Sequence, residues 1–201
     1  MITTIQPETL FPGIESIPVS ISPRPFQMGH LGDGRELRLI SKLALMLHPK
    51  LAVEFGTFTG LTTLHLAMAC ERVITIDGGA PRSDFPYGDY EIGSEYLGTE
   101  FERRIFQLVA DSRTIPLDLV CAAFGTPPSL ILIDGGHTEE ICGWDTRNAL
   151  RALAPGGVIL WHDYGWPGVK KVVDELSESL PLYWIEHEKF VVYRSEPCQP
   201  T

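Results

Sequence analysis

The sequence predicts a doubly wound α/β fold: a mostly parallel seven-stranded sheet with helices on both faces and a C-terminal antiparallel hairpin. Three observations carry this. Short apolar, β-branched runs alternate with helical stretches along most of the chain. The run Glu54-Phe55-Gly56-Thr57-Phe58-Thr59-Gly60 joins a buried strand to the start of a helix through a glycine turn. Acids also recur where the strands end, at Glu54, Asp77, Asp111, Asp134 and Asp163.

Residues 1–32 contain Pro7, Pro12, Pro18, Pro23 and Pro25, which oppose regular helix, so this stretch is expected to be an extended arm or lid. The domain proper is expected over 33–194, with 195–201 as a tail. Ile40, Leu43, Ala44 and Leu47 share one face of a helix that starts near Asp33 and stops before Pro49. Leu51 to Glu54 form a strand, and Leu61, Leu64 and Met68 line the helix after the glycine turn. Val73 to Ile76 form a second strand that stops at Asp77.

Residues 78–97 then read as a long loop with Gly78, Gly79, Gly88 and Gly93 and the aromatics Phe85, Tyr87, Tyr90 and Tyr96. Loops of that length in a compact domain are usually functional. A short helix near Thr99 to Arg104 precedes a strand over 106–110. Ser129 to Ile133 is the fourth strand, followed by Asp134-Gly135-Gly136-His137 and a helix capped by Thr138. That helix runs to Leu153. The fifth strand is Val158 to Trp161, a helix spans Val169 to Leu180, and Leu182 to Ile185 with Phe190 to Tyr193 make the hairpin.

With 201 residues, 44% apolar and 21% charged, the chain has the size and composition of one globular domain. Its net charge of −10 argues against nucleic acid, whose binding depends on phosphate neutralisation. A small molecule is the better partner. Cys70, Cys121, Cys142 and Cys198 lack metal-ligand spacing and are read as reduced thiols. With no membrane-length apolar run and no secretory pattern, the expectation is a cytoplasmic protein without a membrane partner. A homo-oligomer is left open.

The glycine turn suits a nucleotide-like ligand, and Glu54 says which kind. A carboxylate there repels a pyrophosphate but suits a cation such as S-adenosylmethionine, which carries an ammonium and a sulfonium. Gly56 and Gly60 stand four apart, and the three-glycine dinucleotide fingerprint is not met. Asp77 lies 23 residues beyond Glu54, where an acid takes ribose hydroxyls, of NAD as well as of S-adenosylmethionine, or could equally form a turn before Gly78-Gly79. Asp111-Ser112 could hold an adenine amino group, or could equally cap a turn.

The run 53–60, with Asp77, Asp111 and Ile131-Leu132-Ile133-Asp134-Gly135-Gly136-His137-Thr138, resembles the class I S-adenosylmethionine-dependent methyltransferases. Pro155-Gly156-Gly157-Val158-Ile159-Leu160-Trp161-His162-Asp163 strengthens it. Within that class it is similar to the metal-dependent small-molecule O-methyltransferase and cephalosporin hydroxylase-like branch. The resemblance implies a Rossmann-like methyltransferase fold over roughly 33–194. It places Glu54, Gly56, Thr57 and Gly60 around the methionine part, Asp77 and Gly78 at the ribose, and Asp111-Ser112 at the adenine. Asp134 is implied at the cofactor and at the reacting end, and Asp145 matches the family pattern as an anchor for its helix.

Asp134 and Asp163 end neighbouring strands, about 4.8 Å apart, and two carboxylates that close need a proton or cation between them. Asp134, His162 and Asp163 are therefore the candidate ligands for Mg²⁺ or another divalent metal. The relatives hold a pair of acids where this chain has His162-Asp163. Imidazole favours a transition metal over Mg²⁺, so metal identity, or metal dependence itself, is open. His137, three residues beyond Asp134, is the candidate base for a substrate hydroxyl, with helix capping as the plainer role. The rival readings are an NAD-dependent oxidoreductase, disfavoured by Glu54, and a catalytically inactive S-adenosylmethionine-binding protein.

Overall fold

The computed structural model describes residues 2–21, 34–79 and 90–197, and in them eight strands form one mixed sheet. The strands are β1 Thr3–Ile5, β2 Leu51–Phe55, β3 Arg72–Asp77, β4 Ile105–Val109, β5 Leu130–Ile133, β6 Val158–Trp161, β7 Leu182–Ile185 and β8 Val191–Arg194. Their spatial order is β1-β7-β8-β6-β5-β2-β3-β4. All pairs are parallel except β8 with β6 and with β7. The α-helices are α1 Pro7–Leu10, α2 Arg35–Leu47, α3 Leu61–Ala69, α4 Leu117–Ala122, α5 Glu139–Ala152 and α6 Pro167–Leu176.

The central strands β2, β5 and β6 are buried along their whole length, as continuous apolar runs covered on both faces should be. Side-chain alternation sorts them into two cores. Ala52, Leu130, Leu132, Val158 and Leu160 pack with α2, α3, Phe11 and Ile14. Leu51, Val53, Phe55, Ile131, Ile133, Ile159 and Trp161 pack on the opposite face with residues of α4, α5 and α6. Trp161 is fully buried, and its indole N–H donates to Thr146 Oγ1 at 2.8 Å.

The eighth strand comes from the segment expected to be an arm. Thr3, Thr4 and Ile5 pair with Tyr183, Trp184 and Ile185, while Phe11 and Ile14 are 1% and 0% exposed. Burying two such side chains contributes roughly 1.5–3 kcal/mol each, so Phe11 and Ile14 belong to the core and fasten residues 2–14 to the domain. Pro7 does not prevent α1, because it sits at the helix start, where its missing N–H costs nothing. No expectation from the sequence covered α4. Thr138 caps α5 as expected, accepting from Ile141 N at 3.3 Å. Pro18 lies in described backbone, whereas Pro23, Pro25, Gly88, Phe85, Tyr87 and Cys198 fall outside the described residues.

The strand order switches sides between the parallel strands β2 and β5, and the ladder there continues one residue past the strands. Gly56 N donates to Ile76 O at 2.8 Å, Asp134 N to Phe55 O at 2.9 Å and His162 N to Ile133 O at 3.0 Å. These bonds set Gly56, Asp134 and His162 side by side at the carboxyl edge, where doubly wound sheets place their ligands.

Candidate active site

A cavity of 1160 Å³ opens at this edge, walled by Gly56, Thr57, Asp77, Gly78, Asp111, Ser112, Asp134, His137, His162 and Asp163 among others. Ten of the expected site residues thus share one space. Gly56 makes the close approach possible. Its φ is +96°, and a β-carbon there would lie 2.2 Å from the Asp134 carbonyl oxygen.

Asp77 anchors the turn. Its Oδ2 accepts from Thr57 N and Phe58 N, each at 3.0 Å, and its Oδ1 accepts from Gly79 N at 3.1 Å. The carboxylate therefore holds the glycine turn against β3 at the position where a ribose is expected. Beyond it, Asp111 is gripped by Arg113, whose Nε and Nη2 lie 3.0 and 2.6 Å from the two carboxylate oxygens, and Arg113 Nη1 reaches Glu140 at 2.6 Å. Arg113 lowers the pKa of Asp111, chiefly by these hydrogen bonds.

Two expected residues do not wall the cavity. Glu54 is one position short of the strand's end, so alternation turns its side chain into the sheet beside α3 rather than off the edge. There it is 0% exposed and accepts from Thr75 Oγ1 at 2.7 Å and from Thr63 Oγ1. Burial pushes its pKa up to about 8, against those two hydrogen bonds and with help from the negative Asp134 and Asp77. Glu54 supports the turn from behind; it is no open anionic cradle. Gly60 caps α3 with φ +86°, and a β-carbon there would meet the Tyr96 ring at 2.6 Å. Its smallness admits Tyr96, from a segment that docks on the turn through Gly93 N to Phe58 O and Glu95 N to Thr59 O.

At the other end of the cavity, five polar groups converge. His162 Nδ1 lies 2.8 Å from Asp134 Oδ1 and 3.6 Å from Asp163 Oδ2. His137 Nε2 lies 3.1 Å from Asp163 Oδ2, a close contact without hydrogen-bond alignment. Its ring stacks on Trp166 at 4.9 Å and 19°. Lys189 Nζ stands 3.5 Å from Asp163 Oδ1.

Residues 53–164 match the family model described as a methyltransferase domain. The chain belongs to the methyltransferase-domain family. No curated protein matches it significantly in sequence. Among solved structures, it is similar to the O-methyltransferase TomG of Streptomyces achromogenes, involved in tomaymycin synthesis and bound to S-adenosylmethionine. The TM-score is 0.62 at 15% identity, covering 98% of this chain and 92% of that one. It is also similar to an O-methyltransferase of Bacillus cereus bound to S-adenosylhomocysteine, with TM-score 0.61, 15% identity and 84% of each chain covered. The N-methyltransferase NodS of Bradyrhizobium japonicum gives TM-score 0.56 at 18% identity, covering 80% of this chain and 94% of that one. These likenesses establish the methyltransferase fold, and they span both oxygen and nitrogen chemistry.

In this methyltransferase the charged groups at the His162 end of the cavity shift one another. Burial alone would favour a neutral His162, yet Asp134, Glu36 and Asp163 override it and push its pKa up to about 10. Burial likewise opposes ionisation of Asp163, but His137, His162 and Lys189 hold it down at about 2. Asp134, His162 and Asp163 each offer one atom, all within 4.8 Å of one another, and the imidazole would ligate an ion there only after losing its proton. Two carboxylates and an imidazole suit a first-row transition metal better than Mg²⁺.

Sequence reasoning passed over Glu36, which lies 3.3 Å from His162, and Lys189. It took Asp145 for a helix anchor. Asp145 is 1% exposed, lines the cavity from α5 and has its pKa pushed up to about 7 by burial. The buried thiols of Cys70, Cys121 and Cys142 are free, with pKa values raised by burial. Among the described residues no helix is long and apolar enough to cross a membrane.

Proposed function

We propose that the chain transfers the methyl group of S-adenosylmethionine to a hydroxyl oxygen of a small molecule, with His137 as general base. The observation that carries this is the juxtaposition of His137 and Asp163 at 3.1 Å, in the same cavity as the glycine turn and Asp77. With Nε2 turned to Asp163, Nδ1 is the nitrogen left for the acceptor's proton, and the imidazolium that forms is stabilised by the carboxylate. The acceptor oxygen's lone pair attacks the methyl carbon as the carbon–sulfur bond breaks onto sulfur, releasing neutral S-adenosylhomocysteine. Trp166, stacked on His137, holds the ring and offers an aromatic face beside it.

A divalent ion held by Asp134, His162 and Asp163 would supply Lewis-acid polarisation of the acceptor hydroxyl. The N-methyltransferase relative leaves the acceptor atom to the site, and a carboxylate-backed imidazole favours a hydroxyl, which must lose a proton. Calorimetric titration with S-adenosylmethionine and with NAD separates this reading from an oxidoreductase. Transfer of a labelled methyl group across a panel of hydroxylated and amine-bearing small molecules then tests the acceptor. Binding of NAD in preference to S-adenosylmethionine overturns the proposal. Labelling of amines alone overturns the choice of oxygen.

A further inference from the structure

Glu36 is a buried acid on a different element from every strand-end residue. It stands in the first turn of α2 and is 4% exposed. Its Oε1 accepts from the backbone N–H of Lys189 at 3.1 Å, tying α2 to the entry of β8. A purely structural role would be complete with that bond. The second oxygen instead faces His162 Nε2 at 3.3 Å, a close contact without hydrogen-bond alignment, and neither of those atoms has a hydrogen-bonding partner elsewhere.

The other nitrogen of the same ring faces Asp134 and Asp163 at 2.8 and 3.6 Å. His162 is 5% exposed and packed 4.9 Å from the Phe190 ring, so the imidazole spans two carboxylate groups with little room to turn. A carboxylate behind a histidine fixes the ring's orientation and so which nitrogen serves the site in front.

We propose that Glu36 is a positioning residue of the methyl-transfer site: by engaging Nε2 of His162 it keeps Nδ1 on Asp134 and Asp163 at the acceptor end of the cavity. The assignment to methyl transfer rests on the function proposed above. The orientation of the ring by Glu36 does not.

The test uses the full chain labelled with ¹⁵N in its histidine rings, with the His162 signals assigned by their loss in His162→Gln. In Glu36→Ala the Nε2 signal of His162 should move, and the ring should show exchange between orientations. Glu36→Gln, whose amide oxygen can still accept from Nε2, should restore a single orientation. Should Ala at this position prevent folding, Glu36→Met fills similar volume without an acceptor and carries the same test. His162 signals that are the same in wild type, Glu36→Ala and Glu36→Met overturn the proposal, as does a failure of Gln to restore what Ala loses.

S-adenosylhomocysteine added to wild type should shift the His162 signals, and its affinity, read by calorimetry, should be unchanged in Glu36→Gln. Binding without any shift at His162 overturns the placement of Glu36 in the methyl-transfer site. Absence of S-adenosylhomocysteine binding to wild type overturns the methyltransferase reading instead, and the ring signals still decide what Glu36 does.

Discussion

Gly56→Ala tests whether the glycine turn is set by its approach to Asp134. The backbone at Gly56 has φ +96°, and an added β-carbon would stand 2.2 Å from the Asp134 carbonyl oxygen and 2.7 Å from its carbon. Non-bonded carbons stop at about 3.5 Å, so the ends of β2 and β5 would have to part by roughly 1 Å. Left-handed backbone costs a non-glycine residue about 1–2 kcal/mol, and forced overpacking a further 1–3. For a chain of this size about 2–5 kcal/mol lowers Tm by about 4–20 °C. Gly125→Ala is the control, since φ is +72° there but nothing lies within 4 Å of the added carbon. It should lose only the backbone part, about 2–8 °C. Thermal unfolding and calorimetric titration with S-adenosylmethionine read both variants. Gly56→Ala should bind the cofactor at least about tenfold more weakly, a loss of roughly 1.4 kcal/mol, with Gly125→Ala at wild-type affinity. Two variants with the same Tm and the same affinity would refute the reasoning.

Glu54 has its pKa raised by burial from 4.5 to about 8, so the stability tied to its neutral form is complete below pH 4.5 and lost as pH rises through about 8. Glu54→Gln keeps an acceptor for Thr63 and Thr75 and cannot ionise. Its Tm relative to wild type should therefore climb between pH 5 and 9, and a difference that is flat with pH would sink the assignment. Asp77→Asn replaces one acceptor oxygen with a donor among three backbone N–H groups. At roughly 1.5–3 kcal/mol for a hydrogen bond to a charged group, S-adenosylmethionine affinity should fall about 10- to 100-fold by calorimetry. For His137→Ala, kcat on an identified acceptor should fall about 10²- to 10⁴-fold with cofactor affinity unchanged; equal losses in both would indicate a structural role.

What could be read from the sequence was whatever repeats along it. The β-branched runs, the helical spacing of Ile40, Leu43, Ala44 and Leu47, and Thr138 ahead of two glutamates all gave elements that the structure contains. The glycine turn and the strand-end acids located the cavity. Three things were illegible, each for a physical reason. The partner of β1 lies about 180 residues away along the chain, and three residues carry no periodicity. Glu36 sits in an amphipathic helix whose polar positions normally face water; only the arrival of β6 and β8 makes it a buried partner of His162. Glu54 looked like a strand-end acid because the apolar run before it is short. One further residue of pairing, Phe55 with Ile76 and Ile133, reversed the side it faces.

That reversal changes what the acids have in common. Read as a set, they suggest an anionic crevice waiting for a cation. In the fold each has a partner of its own. Glu54 meets two threonine hydroxyls, Asp77 three backbone N–H groups, Asp111 an arginine, Asp134 a histidine, and Asp163 two histidines and a lysine. A buried carboxylate left without such a partner would cost several kcal/mol, so the partners are conditions of the fold as much as of the chemistry. They also divide the cavity into two kinds of surface. Around the glycine turn the acids are tied to backbone and side chains that do not titrate near neutrality, giving a fixed shape for the constant part of the proposed reaction, the cofactor. At the other end they are tied to imidazoles, the groups that can take up and release protons, and that is where the proposed acceptor would give one up.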